Sequence, residues 1–182
     1  MIKRAATFAE SCLAEALPTR WRHVQAVAAK AAHVSTTLPA TDAEVLVAAA
    51  WLHDVGYAPD IVDTGFHSLD GARHLLLEGF PQRIAGLVAY HSCAIFEATE
   101  RGLADQLTAE FEYERSPVAD ALWYADMTTG PHGHSLSVSD RLGEVRQRYG
   151  PEHLVTRFWA QAEPTLVEAV TRAEQRLDTQ PM

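Results

Sequence analysis

The chain has 182 residues, 47% of them apolar and 21% charged, which is typical of a globular protein with a sizeable core. Its net charge of −9 argues against a broad nucleic-acid or anionic-membrane surface, because both need a basic face. It has no apolar run of about eighteen residues and only two cysteines, so we expect a cytoplasmic protein without a membrane span or a disulfide framework.

Helical patterns fill the first third of the chain. Residues 2–17 are rich in strong helix formers, and Thr19 is predicted to cap a second helix. Thr41 and Glu44 have the spacing of a capping box. The helix that they would begin, at about 45–54, is apolar nearly all round, so we expect it at the centre of the fold.

Helical spacing continues through the rest of the chain. Five further segments have apolar residues at this spacing: 68–77, 81–93, 117–127, 139–149 and 152–177. Gly150 and Pro151 separate the last two, which we expect to be closing helices. No alternating strand pattern of useful length is present. The sequence therefore predicts an all-α protein, a compact single-domain helical bundle over residues 1–182.

An imidazole and a carboxylate stand side by side at the end of the apolar central helix, at His53 and Asp54. Such a pair is poorly suited to a core, but it offers one nitrogen and one oxygen ligand to the same metal ion. His23, on the second predicted helix, and Asp126, late in the 117–127 segment, fit the same scheme. The alternative is a helix end with a solvated aspartate and a histidine favoured by the helix dipole.

The order His, His-Asp, Asp over helical segments resembles the HD-domain superfamily of metal-dependent phosphohydrolases, across about residues 20–129. The resemblance implies a divalent transition metal, which the ligand types do not narrow beyond Fe, Mn, Co, Ni or Zn. It implies these metal ligands: His23, His53, Asp54 and Asp126. It also implies that Asp54 orients or deprotonates the attacking water. Phosphate-ester hydrolysis at neutral pH needs a nucleophilic hydroxide and charge relief, and a metal supplies both.

Two more histidines follow the His-Asp pair, His67 ahead of a Gly-Ala pair and His91 on the apolar face of the helix predicted at 81–93. Binuclear HD proteins, such as the HD-type diadenosine tetraphosphate hydrolases, have two extra histidines in this order. The resemblance therefore implies six ligands and two metal ions, with Asp54 bridging them. Alternatively, His67 caps a helix that begins at Ser68, and His91 is a buried hydrogen-bonding residue.

Arg20 lies about one helical turn before His23, so we predict that it contacts the phosphate of the substrate. Tyr57 stands where many binuclear relatives carry lysine. In the inositol-oxygenase branch of the family, that lysine contacts the substrate. His132 and His134 lie in a glycine loop and are left out of the metal set. Three other arginines are expected at the surface, namely Arg22, Arg73 and Arg141. Three other histidines are expected in structural or surface positions, namely His33, His74 and His153.

These patterns predict a metal-dependent hydrolase of phosphoester or phosphoanhydride bonds in a small phosphorylated metabolite, with a nucleotide as the expected substrate. The alternative is an HD-type diiron oxygenase that cleaves a C–H and then a C–C or C–P bond of a small polar substrate. A second alternative is a non-catalytic metal-containing binding protein. We expect no nucleic-acid polymer and no membrane as partners. Phe158 and Trp159 of the last helix suit packing or a homo-oligomer contact.

Overall fold

The structure, a computed structural model, describes residues 1–150 and 152–179. These residues form no strand, and Thr129 and Ser135 make one isolated β-bridge. Helices α1 to α10 are, in order, Ile2–Leu13, Pro18–Val34, Ala40–Leu52, His67–Leu77, Gln82–Ala89, Ala94–Glu100, Ala104–Glu110, Pro117–Met127, Val138–Tyr149 and Leu154–Asp178. Three short 3₁₀ helices are Ser35–Thr37, Val55–Tyr57 and His91–Cys93. The predicted all-α fold is confirmed.

Helix α3 lies at the centre of the molecule, as its apolar pattern predicts. It packs against α1, α2, α5 and α8, and α8 in turn packs against α2 and α10. Its buried residues are Leu46, Val47, Ala48, Ala49, Ala50 and Leu52. A side of small alanines allows neighbouring helices to approach closely. The C-terminal end of α3, which carries His53 and Asp54, is consequently surrounded by other helices.

Both predicted helix caps are wrong, because prolines set the two helix starts. Pro18 takes the first position of α2, where its missing N–H costs no hydrogen bond, and Thr19 is therefore already inside the helix. Helix α3 begins at Ala40, directly after Pro39, so Thr41 is also a helical residue. Among the described residues, no side chain caps either helix.

The helix predicted over 81–93 is shorter than expected. Helix α5 ends at Ala89, and His91 lies in the 3₁₀ turn that follows rather than on a helix face. Ser92 and Cys93 have φ of 48° and 61°, in the left-handed region that an α-helix excludes. The chain turns there into α6 and α7, which have no counterpart among the predicted helical segments. His91 is nevertheless buried.

One cluster of buried apolar side chains includes residues of all ten helices. That the chain is a single domain stays a prediction. Pro151, predicted to separate the closing helices, and residues 180–182 of the predicted domain lie outside the described residues. Of the helices described, none is both long enough and apolar enough to cross a membrane.

Candidate metal centre

Five parts of the fold bring all six predicted ligands to one place. They come from the middle of α2, the end of α3, the first turn of α4, the 3₁₀ turn after α5 and the end of α8. Five of the six are buried, and the side chain of His67 is 14% exposed. We call this set the His/Asp cluster: His23, His53, Asp54, His67, His91 and Asp126.

The candidate ligand atoms fall into two groups that share Asp54. Atoms of His23, His53 and Asp54 lie within 4.8 Å of one another, and so do atoms of Asp54, His67 and His91. The Oδ1 atom of Asp126 lies 3.1 Å from His23 Nε2 and adds a second carboxylate to the first group. Because a carboxylate has two oxygens, Asp54 can serve both groups at once.

Three of the four histidine rings are held in the same way. In each, Nδ1 lies 2.6–3.1 Å from a main-chain carbonyl oxygen: Gly130 for His23, Ala50 for His53 and Val88 for His91. A carbonyl can only accept a hydrogen bond, so each Nδ1 carries a hydrogen, and Nε2 is the ring nitrogen that faces the cluster. Metal-ligating histidines are oriented by the same kind of contact.

The ring nitrogens that face the cluster lie against one another or against a carboxylate. His53 Nε2 is buried without a hydrogen-bond partner in the described part of the chain. His23 Nε2 faces the carboxylate of Asp126, and the Nε2 atoms of His67 and His91 are 3.2 Å apart. A divalent cation among these atoms would satisfy their nitrogen and carboxylate lone pairs. These nitrogen and oxygen donors fit a divalent transition metal.

Burial and neighbouring charges shift the pKa values in the cluster. Burial alone would lower the pKa of His53, but the carboxylates of Asp54 and Asp126 and the Ala50 carbonyl together outweigh it and raise the pKa to about 9. Burial would raise the pKa of Asp54, but Arg20 and then His53 hold it well below its usual range. Burial, and then the charge of His91, lowers the pKa of His67. Asp54 is therefore ionised and His67 neutral at neutral pH, as ligands must be.

A stack of three side chains borders the cluster. Arg20 Nη1 donates a hydrogen bond to Asp54 Oδ2 at 2.9 Å, and its guanidinium lies 4.1 Å from the centre of the Tyr57 ring. The Tyr57 ring also stacks on the His67 ring, with the ring centroids 4.0 Å apart. Tyr57 therefore links the predicted phosphate contact to a predicted metal ligand.

The position of His67 depends on a close approach between the 3₁₀ helix Val55–Tyr57 and α4. A Cβ atom on Gly56 would lie 1.9 Å from the carbonyl oxygen of His67 and 2.7 Å from the nitrogen of Gly71. Asp70 also shapes the turn ahead of α4, since it accepts hydrogen bonds from the main-chain N–H groups of residues 63, 64 and 65.

His132 and His134 are exposed and belong to neither ligand group. A Cβ atom on Gly130 would lie 2.3 Å from the His134 ring, so this ring packs directly on the Gly130 main chain. The same glycine supplies the carbonyl that receives His23 Nδ1. His134 thus contacts the loop that orients His23.

The His/Asp cluster opens into a cavity of about 350 Å³. The placement of Arg141 at the surface is wrong, because this side chain lines the cavity and is 13% exposed. His153 also lines the cavity, and its Nδ1 accepts the Val155 N–H at the start of α10. Helical spacing alone identifies neither residue, because it indicates which face of a helix is buried but not what the face covers.

A comparison with protein families agrees with this geometry. The model of the HD domain matches residues 20–128, which is more than half of the chain and includes the whole His/Asp cluster. No curated protein and no solved structure matched the chain. The matched region begins in the first turn of α2 and runs through α8. The chain belongs to the HD domain family.

Proposed function

We propose that this protein is a metal-dependent phosphohydrolase that cleaves a phosphoester or phosphoanhydride bond of a small phosphorylated metabolite, with nucleotides as the expected substrates. HD domain proteins are generally metal-dependent hydrolases. The observation that carries the proposal is the position of Asp54. It is shared by two groups of ring nitrogens and accepts a hydrogen bond from the Arg20 guanidinium at the edge of an open cavity.

In this proposal the cluster holds two divalent ions. His23, His53 and Asp126 would contact one ion, His67 and His91 the other, and Asp54 both. When bound, such ions act as Lewis acids and lower the pKa of bound water. Their identity stays open among Fe, Mn, Co, Ni and Zn, since all accept imidazole and carboxylate ligands.

The protein side chains would position the substrate and the water. The Arg20 side chain is 34% exposed, and its fork of donors suits two phosphate oxygens, so it can bind the phosphoryl group beside Asp54. Because the pKa of Asp54 is held low, its carboxylate is better suited to orienting a water through an accepted hydrogen bond than to taking the proton. Ser92 Oγ donates to Asp126 Oδ2, which leaves Oδ1 facing His23.

A screen of nucleotides and sugar phosphates with the metal-supplemented protein tests the proposal, with phosphate release and oxygen consumption measured in parallel. We expect phosphate release without oxygen uptake. Oxygen consumption without phosphate release would instead indicate the diiron oxygenase. Retention of a small ligand without turnover on any substrate would indicate a binding protein. Both outcomes would contradict the proposed hydrolase.

Arg20→Ala tests the phosphate contact. It should raise KM for an active substrate about tenfold or more, because a hydrogen-bonded contact between charged groups is worth roughly 1.5–3 kcal/mol. Metal content, measured by elemental analysis, should change much less. Arg22→Ala is the matched control, since Arg22 is exposed on the same helix and its side chain donates a hydrogen bond to Thr19. Unchanged KM in Arg20→Ala would rule out the contact.

A further inference from the structure

The outer wall of the cavity comes from α9 and the start of α10. On α9, the cavity is lined by residues 141, 145, 148 and 149, whose helical spacing places them on one face. These helices lie beyond residue 128, where the match to the HD domain ends. What this wall recognises is therefore a property of this chain and not of the matched HD domain.

Two arginines on this wall are not accounted for by the proposed metal centre. Arg141 is mostly buried, and it lines both the cavity over the cluster and a neighbouring cavity of about 370 Å³. Arg148 and Arg20 also line both cavities. These three arginines therefore lie where the two cavities adjoin, although the protein as a whole carries a net charge of −9.

The charges at this junction are only partly balanced. Arg141 Nη1 contacts Glu144 Oε2 at 2.9 Å, and Arg148 pairs with the same carboxylate. One glutamate thus serves two guanidinium groups. The Nε atom of Arg141 is buried and has no hydrogen-bond partner among residues 1–150 and 152–179. Two guanidinium groups that share one carboxylate beside an open cavity suit an anionic ligand.

Aromatic rings lie on the same wall. Tyr149 stacks on His153 with centroids 4.7 Å apart, and Phe158 lies 5.1 Å from Trp159. All four residues line the cavity over the cluster. An organic group attached to the phosphates would therefore meet rings on which it can stack, and the combined wall suits an organic phosphate better than an inorganic one.

We propose that Arg141 and Arg148 form a second anion subsite, which holds a phosphate group adjacent to the one that reacts beside Arg20. The substrate would then be an organic diphosphate or triphosphate rather than a monophosphate. This inference rests on the proposed function, because it takes the reacting phosphate to lie at the His/Asp cluster. A substrate with one phosphate would leave Arg141 and Arg148 with only the carboxylate of Glu144 between them.

Calorimetric binding of two probes that cannot be hydrolysed tests the subsite in the metal-loaded protein. Methylenediphosphonate carries two adjacent anionic groups, and methylphosphonate carries one. We expect the protein to bind the diphosphonate at least tenfold more tightly. Arg141→Gln with Arg148→Gln should remove most of this preference and change the Kd of methylphosphonate less than twofold.

The control is Arg146→Gln, which removes a charge from the same helix outside the cavity lining and breaks only an exposed pair with Glu163. It should leave both Kd values unchanged. Arg148→Gln alone, at a position 44% exposed, should lower the preference in part and guards against misfolding of the double variant, which circular dichroism would detect.

Equal affinity for the two probes, no binding of either, or an unchanged preference in Arg141→Gln with Arg148→Gln would overturn the subsite. The outcome is separable from that of the proposed function. A preference lost in the double variant, without hydrolysis of any substrate, would contradict the hydrolase and leave the subsite. Hydrolysis of a substrate by a protein that binds the two probes equally well would support the hydrolase and contradict the subsite.

Discussion

At the scale of single residues, the cluster is defined by which ring nitrogen of each histidine carries hydrogen. His23, His53 and His91 each direct Nδ1 to a main-chain carbonyl, so the positions of their Nε2 atoms follow from the backbone. His53 differs from the other two in its surroundings, because the carboxylate of Asp54 favours an added proton on its ring. A metal ion and that proton compete for the same nitrogen.

This competition predicts the pH dependence of metal binding. The pKa of His53 in the metal-free protein is raised to about 9, whereas Asp54 stays ionised at neutral pH. Metal affinity should therefore rise from pH 7 to pH 9 as His53 loses its proton, and level off above that. Calorimetry on chelator-treated protein, in buffers of different ionisation enthalpy, should show release of about one proton at pH 7. Affinity that is flat across this interval would contradict the assignment.

We expect loss of the Tyr57 ring to weaken substrate and metal binding, and loss of its hydroxyl alone to have little effect. Tyr57→Ala should raise KM and weaken metal binding about tenfold, because the ring stacks on His67 and lies under Arg20, and each such contact is worth about 0.5–1.5 kcal/mol. Tyr57→Phe keeps both contacts and should stay within about twofold of the unmodified protein. Equal losses in the two variants would show that the hydroxyl matters and the stack does not.

At the scale of elements, helix α4 can carry His67 into the cluster only because it touches the 3₁₀ helix Val55–Tyr57 at Gly56. No side chain fits there. The sequence shows that residue 56 is a glycine. It does not show that this glycine contacts α4, because α4 begins ten or more residues later. Similarly, nothing in the residues 81–93 indicates that the helix ends at Ala89, since the left-handed residues Ser92 and Cys93 are not glycines.

Gly56→Ala should displace α4. Its new methyl group would meet the His67 carbonyl oxygen at 1.9 Å, and overpacking of this kind costs about 1–3 kcal/mol of unfolding free energy. We expect a lower melting temperature and loss of about one metal ion per chain. Gly143→Ala is the matched control, because nothing lies within 4 Å of the added atom, and it should stabilise α9 by up to about 1 kcal/mol. Full metal content in Gly56→Ala would contradict the contact.

At the scale of the whole molecule, features that depend on local sequence pattern could be predicted from the sequence. Features that depend on packing between distant segments could not. The all-α fold and the central place of α3 follow from apolar spacing, and the six cluster residues follow from resemblance of motif order. Arg141 could not be predicted to line the cavity, because its burial depends on where α9 lies over helices α2 to α8. Helices α6 and α7, with seven residues each, are too short for a clear periodic signal.

Metal removal should lower stability without unfolding the protein at room temperature. The apolar core draws on all ten helices, so the helical signal should survive chelation. Each ion at about a thousand times its Kd adds roughly 4 kcal/mol, so two ions add roughly 8 kcal/mol. Because 1 kcal/mol shifts Tm by about 2–4 °C in a chain of this size, we expect a fall of about 16 °C or more. Loss of the helical signal at 20 °C on chelation would contradict a core that folds without the metal.

The central claim is that the His/Asp cluster holds two metal ions that share Asp54. An anomalous-scattering map from crystals of fully metal-loaded protein tests it most directly. We predict two peaks, one beside His23, His53 and Asp126 and the other beside His67 and His91, with an oxygen of Asp54 in contact with each. A single peak, with His67 and His91 directed away from it, would contradict the claim.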